Sequence, residues 1–529
     1  MASLASHVPF RSRHLATWDS VLFALAIDRY SILEARPHPP GYPVYIAMAR
    51  MAQPLFGDAN STLVAISLLL AAGSVGLVYA LGHRLAGRRV ALVAALVFAM
   101  SPVLAHNSVL ATSYPGEALF AVLVAAAGWH ARRNPGTRSA SWLGGVFLLA
   151  LGFRQSLLFY LTPLVAWALL AAPRDARALV RRAAAFGVTA LAVGLAWLLP
   201  LLAATGGFGP YRAATALQTR QVVFAQTVFT HGRMAWIDHW DRFVLYVRPE
   251  ATLLLPVLVV LGLAAAVALR SRGLRWTSGP RVAAPEAALF LLLWIGPAVL
   301  FYLLIFDGWG KGPDGYALVL LPAVALAFAL LAVACVDRLS LAWPSWQPAI
   351  GAAFALLLLV PVIGLGSAWG PPLAEVREHD AWIDSWQRLE TDYPANDTAI
   401  VASYSWTHVK WFFPEHILWS RLAIPPGPDW DRPWTLSLQT QYREDDLAFY
   451  RAHLDGPSGT EHPIPANIHR VIVFDFQLAG ENGGTRTIRP EVEVYEARLS
   501  NDWRVLVFDV DAEHPTIESY FLDSGNRFL

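Results

Sequence analysis

Apolar runs near the length that a helix needs to cross a bilayer core of about 30 Å recur along this 529-residue chain. They lie near 61–82, 89–105, 115–131, 183–204, 251–269, 286–306, 316–335 and 349–368. With 56% hydrophobic and only 15% charged residues, and a mean hydropathy of +0.43, the chain is too apolar for one soluble domain. An integral membrane protein is expected.

The run 141–172 is either one long helix or two short ones meeting near "GFRQS", 152–156. Charge decides it, because short cytoplasmic loops retain Arg and Lys. Basic loops occur at "GHRLAGRR" (82–89), "HARRNPGTR" (130–138), "PRDARALVRR" (173–182) and "RSRGLRWTSGPR" (270–281). The second and third must be joined by an even number of crossings. The run therefore reads as a pair of short spans with Arg154 near their outer turn, which makes about ten spans. Alternation then puts 1–60, 106–114, 206–250, 307–315 and everything after 369 outside. "MASLASHVPFRSRHLA" has no signal-peptide core. An eleventh, preceding helix is expected upstream to export this segment.

Three regions follow: a first extracytoplasmic loop with interfacial helices over 1–60, a helical membrane domain over 61–369, and a soluble domain over 370–529 that begins at the "GPP" break (370–372). In the last, "TAIVASY" (398–404), "RVIVFDF" (470–476) and "WRVLVFDV" (503–510) read as buried strands. "DAWIDSWQRLE" (380–390) and the region after "SWTHVKWFF" read as helices. The fold class is thus an all-α polytopic membrane domain with a small C-terminal α/β domain. A net charge of +1 without basic blocks gives no nucleic-acid footprint. The single cysteine, Cys335, excludes an intrachain disulfide and sits in an apolar run as packing.

Polar residues beside the spans are the candidate site. Asp19 in "TWDSVLFALAID" is either a helix-terminus residue suited to the dipole or a general base at the lipid boundary. "RPHPPGYPVY" (36–45) is too proline-rich to be helical before about Tyr45. It is a stiff entry to an amphipathic helix over 45–56, or an arm that fixes His38 against a phosphate. Glu117 follows Pro115 in "SYPGEALF", which is ordinary first-turn grammar, or it supplies a second carboxylate. Arg154 within an apolar setting calls for a polar partner or an anionic ligand, unless it snorkels. Lys311, in the glycine-rich "FDGWGKGPDGY" (306–316), is a second phosphate candidate or a solvated loop lysine. The aromatic and basic stretch within 206–250 reads as interfacial helix. Its His231, Asp238, His239 and Asp241 lack a helical zinc spacing. No metal site is assigned, and two carboxylates alone do not specify a divalent cation, although one is possible.

A first-loop Asp, then "HPPGYP", "SYPGEALF", an "FRQS" hairpin and a late "GYALVLLP" helix resemble the bacterial membrane glycosyltransferases of the GT-C superfamily. The branch containing protein O-mannosyltransferases and lipid A aminoarabinose transferases is the most similar. The resemblance implies a polyprenyl phosphate sugar donor and a lipid, glycan or protein acceptor on the outer face of the inner membrane. It implies Asp19 as base or acceptor-orienting group, His38 toward the donor phosphate, and Glu117 near the second acidic position. Arg154 and Lys311 are assigned to the phosphate from charge and burial; Trp18, Tyr42 and Tyr114 are assigned to the substrate cavity. The alternative is a transporter or flippase of lipid-linked sugars, which would favour repeated halves, and none is seen. A reporter fused after residue 369 is expected to be active only outside the cytoplasm; activity on the cytoplasmic side would shift the span count by one.

Overall fold

The computed structural model describes residues 7–34, 36–170, 176–219, 227–272, 284–305, 315–402, 405–420, 463–474, 478–479, 484–498 and 504–527. They form two compact units. One comprises Met1–Ser12, Tyr42–Pro200 and Trp236–Val376; the other comprises Arg13–Gly41, Leu201–Ala235 and Arg377–Leu529.

In chain order the first helices are α1 (Trp18–Asp28), α2 (Pro43–Phe56), α3 (Ala59–Ala86), α4 (Arg88–Ala99) and α5 (Pro102–Ser108). Then come α6 (Tyr114–Arg133), α7 (Thr137–Phe153), α8 (Leu157–Leu169), α9 (Ala176–Thr205), α10 (Phe208–Gln218) and α11 (Val228–Ser271). The series ends with α12 (Ala284–Leu304), α13 (Leu321–Ala342), α14 (Gln347–Ser367), α15 (Gly370–Ser385), α16 (Gln387–Asp392) and α17 (Trp406–Phe412).

The first unit is a helical bundle. Helix α3 packs on α4 and α6, α13 on α4, α6 on α7 and α8, and α12 on α8. Apolar side chains such as Leu69, Leu92, Leu191 and Val259 remain exposed on its flanks, as they must where lipid rather than water is the solvent. Among the described residues six helices are long and apolar enough to cross a membrane, or seven if α4 and α5 form one span. The chain is a multi-pass membrane protein. The run 89–105, expected as one span, is bent by 59° between α4 and α5. Backbone groups released at such a break need new partners in an apolar medium. Trp369 Nε1 donates to the Met100 carbonyl at 2.9 Å, and Leu104 N–H donates to Ser101 Oγ at 3.4 Å.

The ambiguous run 141–172 is two helices, α7 and α8, meeting at Arg154. Their 17 and 13 residues span about 25 Å and 20 Å at 1.5 Å rise per residue. Two other expectations shift. The helix expected from Tyr45 starts at Pro43, because proline is favourable in the first turn, where its missing N–H costs nothing. Within 206–250, α10 stands by itself, but the later part is not separate from the next span: α11 runs from Val228 into it, with a kink at the non-helical Gly232 (φ 65°).

The second unit contains a five-stranded mixed sheet. Its strands are β1 (Thr398–Ala402), β2 (Ile417–Ser420), β3 (Arg470–Val473), β6 (Val494–Arg498) and β7 (Arg504–Asp509). The remaining strands, β4 (Leu478–Ala479), β5 (Gly484–Ile488) and β8 (Phe521–Arg527), make a second, antiparallel sheet. The order of the large sheet is β2-β1-β3-β7-β6, with β1 parallel to β2 and β3 and the rest antiparallel. Alternate residues face two cores. Ile400, Ile472 and Val507 pack with Ile383, Trp386 and Phe413; Ala399, Val471 and Phe508 pack with Ile517 and Tyr520. Burial on both faces is why these strands read as continuous apolar runs. The region after "SWTHVKWFF" was expected to be helical. The helix instead lies on that stretch, as α17, and β2 follows it; residues 421–462 are outside the described ones.

His408 of α17 is buried, and burial first, then His379, pushes its imidazole from 6.5 down to about 4, against opposing backbone contacts with Leu15 and Ala16. A histidine depressed on folding contributes fully above 6.5 and loses that contribution as pH falls toward 4. We expect this unit to lose about 2 kcal/mol between pH 7.5 and 5, read by hydrogen exchange of the β1 amides, and His408→Gln to flatten the profile. A wild-type profile already flat would mean that the imidazole is not held neutral.

Candidate active site

Two groups of polar residues gather most of the candidates read from the sequence, one in each unit. In the second unit, helix α1 is capped by a reciprocal pair: Ser20 N–H donates to Thr17 Oγ1 at 3.1 Å and Thr17 N–H to Ser20 Oγ at 2.9 Å. The "TWDS" spacing is a capping box with Ser in place of Glu, a signal available in the sequence but not used above. Asp19 therefore lies in the first turn without being the cap, and its carboxylate, about one-third exposed, is turned to His38. His38 Nδ1 stands 3.7 Å from Asp19 Oδ1, too long for a hydrogen bond but within ion-pair range when the imidazole is protonated. The His38 ring lies 6.0 Å from the buried Phe23 ring of α1.

The arm that carries His38 is fixed by its own backbone. Ser31 and Arg36 exchange two backbone hydrogen bonds at 2.7 and 2.8 Å, and Gly41 N–H closes a turn on the His38 carbonyl at 3.1 Å. Tyr30 Oη donates to the Gly41 carbonyl at 2.7 Å. Gly41 has φ +112°, and a Cβ there would fall 2.5 Å from the Tyr30 hydroxyl, so no other residue fits. Trp18, next to Asp19, is exposed.

In the first unit, Arg154 ends α7 with extended backbone, and its guanidinium turns inward. It forms an ion pair with Glu117 of α6, a residue only 1% exposed, and its Nη1 donates to Ser113 Oγ at 3.0 Å. Three tyrosine rings surround it, Tyr114 at 4.7 Å and Tyr42 and Tyr316 at 5.7 Å from the guanidinium carbon. Such rings present their negative faces to a cation. Tyr316 is itself held: Tyr302 Oη donates to its carbonyl at 2.8 Å, and Tyr160 Oη donates to Tyr302 Oη at 3.1 Å. Gly315 allows the ring of Tyr114 against the backbone, where a Cβ would meet it at 2.1 Å.

The sequence reading had given Glu117 and Arg154 separate tasks; they are partners. Tyr42 and Tyr114, assigned to a substrate cavity, are packed around the arginine. Tyr316 and Ser113 were missed, although both stand in motifs already quoted, because nothing local marks which tyrosine meets a distant arginine. Lys311 is outside the described residues. Among the described residues no group of three or more His, Cys, Asp and Glu side chains is arranged to hold a metal ion.

Over residues 32–178 the sequence matches the family described as Protein O-mannosyl-transferase TMEM260 N-terminal domain. Comparison with curated proteins yields no match. Among solved structures, ArnT from Cupriavidus metallidurans bound to undecaprenyl phosphate aligns over 97% of both chains, with a TM-score of 0.57 at 14% identity. The chain shares the fold of that ArnT. The apo state of the same ArnT aligns with a TM-score of 0.55 at 14% identity over 96% of both chains. An archaeal oligosaccharyltransferase, AglB from Archaeoglobus fulgidus with an inhibitory peptide and a dolichol-phosphate, gives a TM-score of 0.45 at 14% identity, covering 89% of this chain and 68% of that one.

Within this helical bundle, removing one member of a buried ion pair strands the other charge, at a cost of about 3–5 kcal/mol, whereas replacing both with apolar residues is often neutral. Glu117→Leu alone is therefore expected to lower thermal stability in detergent far more than Glu117→Leu combined with Arg154→Met. Equal losses would indicate that the pair is not closed in the folded protein.

Proposed function

We propose that this GT-C chain transfers a sugar from a polyprenyl phosphate-linked donor to an acceptor on the extracytoplasmic face of a bacterial inner membrane, with Asp19 as the base. The observation that carries the reading is the Asp19–His38 pair: a carboxylate at a helix N-terminus, faced by an imidazole on a rigid arm. The family match to an O-mannosyl-transferase domain and the fold shared with an ArnT bound to undecaprenyl phosphate support the donor class.

In the proposed reaction an acceptor hydroxyl oxygen attacks the anomeric carbon. The carbon–oxygen bond to polyprenyl phosphate breaks, the hydroxyl proton passes to Asp19, and the lipid phosphate leaves with its electron pair. A phosphate is a good leaving group, so one base and cationic stabilisation of the departing charge suffice. With no covalent carboxylate intermediate, the configuration inverts. His38 orients Asp19 and offers positive charge to the phosphate, and Arg154 supplies a guanidinium for its oxygens, with Lys311 as a further cation. Glu117 acts through Arg154, holding its fork in place, and is a positioning residue rather than a second base. Trp18 flanks the acceptor.

The test uses purified full-length protein and a panel of polyprenyl phosphate sugars with candidate acceptors. Asp19→Asn is expected to lower transfer by about 10²–10⁴-fold, the usual worth of a general base. Equal transfer by variant and wild type would remove Asp19 from the mechanism. Translocation of the lipid-linked sugar with no transfer would identify a flippase.

A further inference from the structure

The segment leading into α1 is bound by the C-terminal part of its own unit. The carboxylate of Asp380, on α15, is buried and accepts three backbone hydrogen bonds: two from Arg13 N–H, at 3.0 and 2.9 Å, and one from His14 N–H at 3.2 Å. One turn further along α15, Asp384 takes the side chains of the same two residues, with Arg13 Nη2 at 2.6 Å and His14 Nε2 at 2.7 Å. Burial opposes ionisation of Asp384, but hydrogen bonds from His14 and Arg13 hold its carboxyl below the usual range. On the other side, α17 packs along α1, and Phe412 meets the His14 ring edge-on at 6.2 Å.

A carboxylate is acceptor-only, so Asp380 matches a run of consecutive N–H groups and nothing else in that place does so as well. Arg13 and His14 lie only six and five residues before Asp19 along the chain. We infer that the C-terminal domain is a positioning element for the base: Asp380 and Asp384 clamp Arg13 and His14, and this sets where α1 presents Asp19. The inference rests on Asp19 being the base. It assigns a task to a domain that the proposed reaction otherwise leaves without one.

The experiment reads position and catalysis separately on the full-length protein in detergent. Asp380→Ala is expected to speed amide exchange over residues 14–22 by at least about tenfold, with β1 and β3 amides at wild-type rates. Asp380→Asn, which keeps one acceptor oxygen, should recover part of the protection. With undecaprenyl phosphate-linked sugars as donors, Asp380→Ala should lower kcat on the order of 100-fold, the cost of a small misplacement of a reacting group, and leave KM within about twofold. Should Asp380→Ala fail to fold, Asp384→Asn on the exposed rim should give the same changes at smaller size. Unchanged exchange over 14–22 would overturn the clamp. Raised exchange with unchanged kcat would overturn the positioning role. A wild type that transfers nothing would overturn the Asp19 reading, and the exchange result would then decide the clamp alone.

Discussion

An arginine inside an apolar helical bundle must bring its compensation with it, and Arg154 organises the first unit for that reason. Burying an unpaired guanidinium costs several kcal/mol or more, so the surrounding helices have to deliver a carboxylate, a hydroxyl and aromatic faces to one point. Glu117 and Ser113 come from α6 and the turn before it, Tyr114 from its first residue, and Tyr316 from the segment before α13. The hydrogen bonds from Tyr160 through Tyr302 to the Tyr316 backbone extend that constraint into α8 and α12. The short hairpin of α7 and α8 exists to end at this arginine. A longer pair of helices would carry the charge past the helix ends that neutralise it.

The second unit solves a different problem by similar means. Its catalytic candidate sits on a short helix preceded by a segment without regular secondary structure, and such a segment has no intrinsic position. Backbone N–H groups of Arg13 and His14 are therefore tied to a buried carboxylate, and the proline-rich arm opposite is tied by Tyr30 to Gly41. The stiffness of "RPHPPGYP" limits the arm's conformations, but the ties give it one place. Asp19 and His38 meet because both flanks are anchored.

Much of this was legible before any coordinates. The apolar runs, the basic loops and the composition change near residue 370 separate a membrane bundle from a sheet domain, and all three strands read from apolar runs occur. The hairpin at Arg154 followed from charge alone. What misled was local grammar at element edges. Proline at residue 43 begins a helix instead of delaying it, and the boundary drawn at residue 250 falls inside α11, which continues through Pro249 into the next span. The bend between α4 and α5 falls at Ser101-Pro102, a helix break that the apolar run 89–105 outweighed when it was read as one span.

By itself, then, the sequence determined that apolar helices of a membrane protein are joined to a small sheet region, which strands are buried on both faces, and which side chains have the chemistry for a base or a cation. Only the tertiary structure decided who meets whom: Glu117 with Arg154, His38 with Asp19, Asp380 with the backbone of Arg13. Partition into lipid or a core is a property of a residue and its near neighbours, and periodicity records it. A buried charge pair depends on the register between elements far apart in the chain, and no local pattern encodes that register.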